Sequence, residues 1–210
     1  PSFPVQNIIR ILERYGTTPI PPYINHSPLG ERSLRKEYQS VFAKKHGSIA
    51  APTASLHFTN RLLAKLKRQG IRIVYVTLHV NLGTFAPVSK SQIANCKLHE
   101  EYFEISKKTA RAIQEAKRDG RPIIAVGTTV ARTLESATDS RGRFRKLGGV
   151  TDLFIRPGYQ FKIVDGLITN FHVPRSSLLM LGAAFTGRKQ LLNLYRMAIK
   201  KKFRFFSFRD

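Results

Sequence analysis

Four histidines stand at or near the ends of predicted strands or in loops, where proton-transfer groups are often found. They are His57, His79, His99 and His172. An imidazole titrates near neutral pH, so each of the four is a candidate catalytic residue. Any one alone is more often a structural histidine that is hydrogen-bonded within the fold. A four-histidine metal site is a further alternative, but no close spacing supports it, and we expect no metal.

A glycine and two threonines follow a predicted buried strand, Pro122–Val126, and precede a predicted helix over 130–137. They are Gly127, Thr128 and Thr129. Free amides and the helix dipole at such a junction favour an anion, for example a carboxylate or a phosphate. A plain Gly-Thr helix start with no ligand is the alternative.

The stretch 151–181 predicts strands at 151–155, 161–164 and 167–169, followed by an apolar helix. Asp165-Gly166 between two β-prone runs indicates a hairpin. Pro174 ends the strand region, and the Ser176 hydroxyl can cap the next helix. Asn170 and His172 therefore lie between a strand end and a helix start, a common position for binding groups in α/β proteins.

The chain is strongly basic, with 36 Lys and Arg against 13 Asp and Glu in 210 residues, a formal charge of +23. Such a charge favours polyanions through counterion release, and a basic solvating surface is the alternative. The charges are spread along the sequence, which favours a folded domain with a basic face. The loop 138–149 concentrates four of them and predicts a phosphate-backbone contact or a solvated loop. They are Arg141, Arg143, Arg145 and Lys146.

Several functional classes lack their sequence signatures. We find no P-loop, no HExxH, no GxSxG and no full dinucleotide fingerprint. The single cysteine, Cys96, excludes an intrachain disulfide and a cysteine-based zinc site. No apolar run reaches the roughly 18 residues of a membrane span, and the first residues lack the order of a signal peptide, so we expect a cytoplasmic protein.

Helical and strand patterns alternate along the chain, which predicts an α/β fold with a sheet that is parallel at least in part. Strands are predicted at 71–80, 102–105, 122–126 and 203–208 in addition to those above. Helices are predicted at 8–15, 35–45, 59–69, 106–119, 130–137, 177–186 and 188–201. The Thr59 and Ser106 hydroxyls are predicted to cap the helices that begin there. Prolines keep the segment 19–24 extended. We expect residues 1–34 to form a linker or arm and residues 35–210 to form the α/β domain.

Conspicuous blocks include SIAAPTASLHFT at 48–59, TLHV at 77–80, AVGTT at 125–129 and LITNFHVP at 167–174. Together with others, in order from Pro19 to Ser207, they make the chain resemble the S-adenosylmethionine:tRNA ribosyltransferase-isomerases of queuosine biosynthesis. The resemblance implies a Rossmann-like, mostly parallel sheet with helices on both faces. It also implies an N-terminal segment and an inserted β-barrel domain in the family, both of which we expect to be absent here.

The resemblance implies a specific reaction. The ribosyl group of S-adenosylmethionine is transferred to 7-aminomethyl-7-deazaguanine at the tRNA wobble position and isomerised, which gives epoxyqueuosine-tRNA and releases adenine and methionine. The path begins with removal of a proton next to the sulfonium. No cofactor or metal is implied beyond S-adenosylmethionine itself. The expected partner is tRNA with a G-U-N anticodon that carries the 7-deazaguanine precursor, and the expected protein is a monomer without membrane contact.

The resemblance also orders the candidate residues. Catalytic candidates, in order, are His172, His57, His79 and His99. Candidates for S-adenosylmethionine binding are Gly127, Thr128, Thr129, Asp152 and Asn170. Candidates for tRNA binding are Arg132, Arg143, Arg145, Lys146 and Lys162.

The sequence departs from the family pattern at three places. Asn81 stands where Gly is usual, Val130-Ala131 where Ser-Val is usual, and 208–210 read Phe-Arg-Asp where Tyr-Gly-Asp is typical. Two other functions are alternatives to this transferase. One is a catalytically impaired, tRNA-binding remnant of the family. The other is a small-molecule methyltransferase that uses the same donor, although the chain lacks a Gly-rich methyltransferase loop.

Overall fold

The computed structural model describes residues 5–21, 24, 27–48, 50–80 and 88–206. Contacts divide the chain into two units, residues 1–39 and 40–210, which are described separately below. The sequence placed this boundary after residue 34. Asn81 and residues 208–210, where the sequence departs from the family pattern, lie outside the described residues.

The described residues of the first unit form two helices, α1 (Val5–Tyr15) and α2 (Glu31–Glu37). The Glu31 carboxylate accepts from the Thr18 amide and hydroxyl, both at 2.7 Å, and from the Arg35 Nε at 2.9 Å. An acidic residue in the first turn complements the helix dipole, which explains why α2 starts earlier than the predicted helix at 35–45. It also ends sooner, because the Ser40 hydroxyl accepts from the Phe42 amide in a local turn.

The second unit contains six α-helices, five strands and a 3₁₀ helix at Thr53–His57 among its described residues. The strands are β1 (Val76–His79), β2 (Lys97–Ile105), β3 (Ile124–Val126), β4 (Gly148–Leu153) and β5 (Gly166–Ile168). The helices are α3 (Asn60–Arg68), α4 (Lys90–Asn95), α5 (Lys107–Arg118), α6 (Thr128–Ala137), α7 (Ser177–Thr186) and α8 (Arg188–Lys200).

The described strands form two small sheets. Strands β1, β2 and β4 are antiparallel, in the order β1-β2-β4, and β3 pairs with β5 in parallel. The predicted α/β class with a parallel element is confirmed, but the described pairing is more antiparallel than the sequence led us to expect. The reason is visible in β2, where Glu101, Phe103 and Ile105 are buried and the intervening residues are not. Such alternation is typical of antiparallel sheets with one covered face.

The predicted hairpin around Asp165-Gly166 does not form. The amides of Lys162, Ile163 and Val164 donate to the Glu135 carboxylate at 2.9, 3.1 and 3.0 Å instead of to a neighbouring strand. Residues 161–164 are therefore irregular, and β5 pairs with β3. A side chain on a distant helix has replaced the expected ladder.

The predicted strand at 203–208 is also absent over its described part. Phe205 and Phe206 have φ of 66° and 53°, which lie in the left-handed region and exclude extended backbone. The predicted strand at 71–80 is reduced to Val76–His79. The predicted helix caps are confirmed: the hydroxyls of Thr59, Ser106 and Ser176 accept amides of the first turns of α3, α5 and α7.

The core lies between β2, α5 and α6. Phe103 is fully buried and packs with Ile113 of α5 and Leu134 of α6, among others. Ile163 joins this cluster because the Glu135 carboxylate holds its backbone in place. Burial of such side chains is the main stabilising term, roughly 1.5–3 kcal/mol for each large apolar residue.

Candidate functional site

Asn170 follows β5 and is 7% exposed. Its Nδ2 donates to the Phe206 carbonyl and lies 3.2 Å from the His57 Nε2. An amide nitrogen can only donate, so the His57 Nε2 accepts and the neutral ring carries its proton on Nδ1. The Asn170 Oδ1 is buried and has no hydrogen-bond partner among the residues that the structure describes. An unpaired buried acceptor is costly, which makes this oxygen a natural place for a donor from a bound molecule.

His172 lies two residues after Asn170, and hydrogen bonds of its backbone to Tyr195 hold it in place. Its amide donates to the Tyr195 hydroxyl at 2.6 Å, and that hydroxyl donates back to the His172 carbonyl at 3.2 Å. Its Nε2 lies 3.0 Å from the Thr169 hydroxyl. Burial lowers the pKa of His172 to about 4. The imidazole is therefore neutral at pH 7, able to accept a hydrogen bond and weak as a base.

Both residues line a cavity of about 300 Å³ between the segment after β5 and helices α7 and α8. Five leucines, Phe171 and Phe185 make most of the wall, and Thr169, Asn170, His172 and Tyr195 are among the polar contributors. None of the described residues that line it is Asp, Glu, Lys or Arg. The volume is at the lower end of the range for small-molecule sites, and the mixture of apolar wall and a few polar groups is typical of them.

Aromatic rings close the site on the side of residues 203–206. The Phe171 ring lies 5.0 Å from Tyr195, 4.7 Å from Phe205 and 5.8 Å from Phe203, measured between centroids. The left-handed backbone at Phe205 and Phe206 costs free energy, and such strain concentrates at functional sites. The hydrogen bond from Asn170 to the Phe206 carbonyl helps to hold that backbone.

The four candidate histidines do not converge on one place. His57 contacts Asn170, and His172 lines the same cavity as Asn170. His79 belongs to β1, where its ring packs against Gly47 so closely that a Cβ there would lie 2.3 Å from Nδ1. His99 is exposed on β2. The structure therefore brings His57 and His172 to the Asn170 region and leaves the other two on the antiparallel sheet.

The candidate S-adenosylmethionine ligands are also divided. The Gly127 amide donates to the Ile168 carbonyl at 2.9 Å, which joins the start of α6 to the end of β5. Thr128 and Thr129 are buried at that helix start. Asp152 lies on β4, 2.8 Å from the Lys97 Nζ, and this ammonium lowers the pKa of the Asp152 carboxyl. Gly127 therefore contacts Ile168, which lies two residues before Asn170. Asp152, in contrast, belongs to the antiparallel sheet.

The buried position of Arg132 argues against the predicted tRNA contact. Its side chain is 4% exposed, and Nη1 donates to the Glu101 carboxylate at 2.6 Å. Its Nε donates to the Leu153 carbonyl at 2.9 Å. Because these donors face β2 and β4 from α6, Arg132 joins the helix to the antiparallel sheet and is not available to a polyanion. We reassign it to a structural role.

Lys162 is likewise occupied. Its Nζ donates to the carbonyls of Glu135 and Thr138 at the end of α6, the second at 2.8 Å. A lysine there satisfies the last carbonyls and complements the helix dipole. Lys162 therefore stabilises the C-terminus of α6, which also argues against the predicted tRNA contact.

The basic loop remains accessible. The Asp139 carboxylate accepts from the amides of Arg141 and Arg143 at 2.9 Å and from the Arg143 Nε at 3.1 Å, and it forms an ion pair with the Arg145 Nε at 3.1 Å. The Arg143 and Arg145 side chains are nonetheless 55% and 70% exposed. Lys146 is exposed as well and donates to the Val150 carbonyl at 3.1 Å. One carboxylate thus orders the loop and leaves an excess of positive charge at its surface.

Tyr195, Glu101 and the Phe206 carbonyl were missed by the sequence analysis. Tyr195 gives no local signal, because its role depends on packing of α8 against the segment after β5. Glu101 could have been found: extending the predicted strand from Tyr102 back to Lys97 places Glu101 on the same face as Phe103. That alternation predicts a buried acid in need of a cation.

The described part of the chain offers neither a membrane-spanning helix nor a metal-binding cluster. None of its helices combines the length and apolar character that crossing a membrane requires. No cluster of three or more His, Cys, Asp or Glu is arranged to hold a metal ion.

Comparison with known proteins gives a consistent result. A relative from Halothermothrix orenii, named S-adenosylmethionine:tRNA ribosyltransferase-isomerase, is 52% identical over 96% of this chain and 58% of its own length. A relative of the same name from Treponema denticola is 52% identical over 95% of this chain and 57% of its own length. The chain therefore spans less than two thirds of the length of the curated relatives it matches.

A crystal structure of S-adenosylmethionine tRNA ribosyltransferase from Thermotoga maritima is also similar. It is 43% identical, with a TM-score of 0.59, and the match covers 74% of this chain and 49% of that one. Residues 2–210 match the family described as queuosine biosynthesis protein. Because the family match covers nearly the whole sequence and the relatives are about half identical, the chain belongs to the queuosine biosynthesis protein family.

Proposed function

We propose that this chain carries the ribosyl-transfer site of an S-adenosylmethionine:tRNA ribosyltransferase-isomerase. The observation that carries the proposal is the 52% identity to relatives of that name over 96% of the chain. The buried His57–Asn170 contact and the His172 cavity, in the region of the LITNFHVP block, support it. The product is epoxyqueuosine at the wobble position of tRNA, and adenine and methionine are released.

The chemistry needs a proton acceptor for the carbon next to the sulfonium and groups that hold the substrate. His57 and His172 are the proposed acceptors, since both lie at the Asn170 region. Burial lowers the pKa of His172 to about 4, so its ring is unprotonated at pH 7 and can accept a proton, although as a weak base. Gly127, Thr128 and Thr129 at the start of α6 are the proposed ligands of the methionine carboxylate or a sugar oxygen.

The basic loop supplies the proposed contact with the tRNA backbone. Arg143, Arg145 and Lys146 are exposed, and the chain carries a formal charge of +23. Charge of this kind binds nucleic acid through phosphates without reading sequence. The proposed partner is tRNA with a G-U-N anticodon that carries the 7-deazaguanine precursor. We further propose a cytoplasmic monomer that needs no metal or additional cofactor.

The direct test mixes the purified chain, S-adenosylmethionine and tRNA that carries 7-aminomethyl-7-deazaguanine. The expected result is stoichiometric adenine and epoxyqueuosine, measured by chromatography of the supernatant and of the digested tRNA. Binding of the tRNA without adenine release would contradict the proposal and support a non-catalytic tRNA-binding protein. Formation of S-adenosylhomocysteine would instead indicate a methyltransferase.

A matched pair of variants tests the assignment of His172. We expect His172→Asn to lower turnover at least ~100-fold, as loss of a general acid or base does. His99→Asn removes an exposed histidine from the antiparallel sheet and should leave turnover near that of the parent chain. Equal turnover of the two variants would remove His172 from the catalytic residues.

A further inference from the structure

We propose that the cavity between the segment after β5 and helices α7 and α8 is the adenine subsite, in which the Asn170 Oδ1 accepts a hydrogen bond from the exocyclic amine. This inference rests on the proposed function, because it takes S-adenosylmethionine as the substrate. It goes further by assigning one part of that substrate to one cavity and one atom.

The first argument is the unpaired acceptor. Both hydrogens of the Asn170 amide have acceptors, the Phe206 carbonyl and the His57 Nε2, so the side chain cannot rotate by 180° without losing them. The Oδ1 is thereby fixed as an acceptor, is buried, and has no donor among the described residues, and Asn170 lines the cavity. A ligand that supplies an N–H or O–H removes the cost of that unpaired oxygen, whereas a ligand that presents an acceptor adds repulsion.

The second argument is the absence of charge. The described part of the cavity lining contains no Asp, Glu, Lys or Arg, and His172 is neutral near pH 7 because burial depresses its pKa. A sulfonium, an ammonium or a carboxylate would lose hydration in this cavity without gaining a counter-charge. Those three groups belong to the methionine portion of S-adenosylmethionine. The uncharged adenine is the portion that matches the walls.

The third argument is the shape and chemistry of the walls. Phe171 and Phe185 with the leucines present mostly apolar surface, which favours a flat aromatic ring over a polyol such as ribose. A volume of about 300 Å³ accommodates a purine with space for the bond to the sugar. A planar heterocycle with one N–H donor group at its edge can pack against the apolar walls and donate to the Asn170 Oδ1 at the same time.

The test measures equilibrium binding to the full chain by calorimetry, without tRNA, using adenosine, N6,N6-dimethyladenosine and inosine. Dimethylation removes the donor, and inosine replaces it with a carbonyl. We expect both analogues to bind about tenfold or more weakly than adenosine, the usual cost of an unmet buried hydrogen bond. No binding of adenosine at millimolar concentration, or equal binding of the three, overturns the proposal.

Two variants locate the effect. Asn170→Ala should remove the preference for adenosine, so that adenosine and inosine bind with similar affinity. The control His46→Asn, which changes an exposed histidine outside the cavity lining and outside the candidate residues, should keep that preference. Leu194→Trp fills the cavity from α8 and leaves Asn170 unchanged, so it should weaken adenosine binding at least about tenfold even if Asn170→Ala fails to fold. The adenine subsite is contradicted if Asn170→Ala still prefers adenosine to inosine. It is also contradicted if Leu194→Trp binds adenosine with full affinity.

The two proposals can fail separately. Adenine release from S-adenosylmethionine in the presence of tRNA, combined with equal binding of the three nucleosides, would support the transferase and overturn the subsite. Selective adenosine binding without adenine release would support the subsite and contradict the transferase.

Discussion

Two buried polar centres in the second unit differ in how completely they are satisfied. Arg132, on α6, donates to the Glu101 carboxylate and to the Leu153 carbonyl inside the antiparallel sheet. Asn170, after β5, uses both amide hydrogens, but its Oδ1 has no partner in the described part of the chain. It lines a cavity whose described walls carry no charged side chain. Both side chains are more than nine-tenths buried.

The difference separates structural from functional burial. A buried ion pair contributes to the fold only if its partners satisfy it, and it then leaves nothing for a ligand. A buried acceptor without a donor reduces the stability of the fold. Such an acceptor is retained where a bound ligand supplies the missing hydrogen bond. By this criterion, and because a cavity lies at Asn170, the antiparallel sheet is the framework of the second unit and the β5–α7–α8 region is its proposed site.

The largest effect is expected from Arg132→Met. It leaves the Glu101 carboxylate buried without its cation, which costs about 3–5 kcal/mol of unfolding free energy. Urea denaturation followed by circular dichroism measures it. Arg143→Met is the matched control on the exposed loop and should leave the midpoint unchanged. A loss below about 1 kcal/mol for Arg132→Met would make the two centres alike and end the distinction.

The next effect concerns Glu135, whose carboxylate binds three consecutive amides and the Tyr159 hydroxyl. Glu135→Gln replaces one acceptor oxygen with a donor that faces those groups, so we expect a loss of about 3 kcal/mol. Hydrogen exchange should show reduced protection of the amides at 162–164. Unchanged protection there would mean that the carboxylate does not hold this segment.

A smaller effect is expected from pH. The unfolded His172 titrates near 6.5 and the folded one near 4, so the unfolded chain binds the extra proton between these values. Stability from this group is complete above about pH 6.5 and falls as pH decreases towards 4. From pH 7 to pH 5 the loss is about 2 kcal/mol. Thermal unfolding should show this slope in the parent chain and in His99→Asn, and a shallower slope in His172→Asn.

The smallest effect is expected on the exposed loop. Arg145→Gln removes one exposed cation whose side chain is 70% exposed, so the unfolding midpoint should not change. If the loop contacts the tRNA backbone, the slope of log affinity against log salt should decrease by about 0.7–0.9. Lys162→Met, which removes the lysine at the end of α6, should lower stability and keep the slope. A reduced slope for Lys162→Met alone would reverse the two assignments.

What the sequence predicted correctly depends on neighbours in the chain. The caps by Thr59, Ser106 and Ser176 involve residues three positions away, and all three form as predicted. The α/β class follows from patterns within single elements. The failures involve distant partners: Glu135 captures the amides at 162–164, and Glu101 draws Arg132 into the interior.

The same limit applies to the site. Asn170 and His172 were placed correctly at the end of β5 and before α7 because Pro174 and Ser176 punctuate the sequence there. The choice among four histidines could not be made, because the His57–Asn170 contact and the position of Tyr195 depend on how separate elements pack. Burial of His172, which decides its protonation, is likewise a property of α8 and its packing.

The contact between Asn170 and His57 joins residues 113 positions apart, whereas Glu135 and Val164 are separated by 29. Closing a longer loop costs more chain entropy, so long-range contacts tend to form after local ones. The segment around Glu135 is therefore expected to order early, and the Asn170 region to assemble among the last steps of folding. A refolding experiment should recover secondary structure before it recovers adenosine binding.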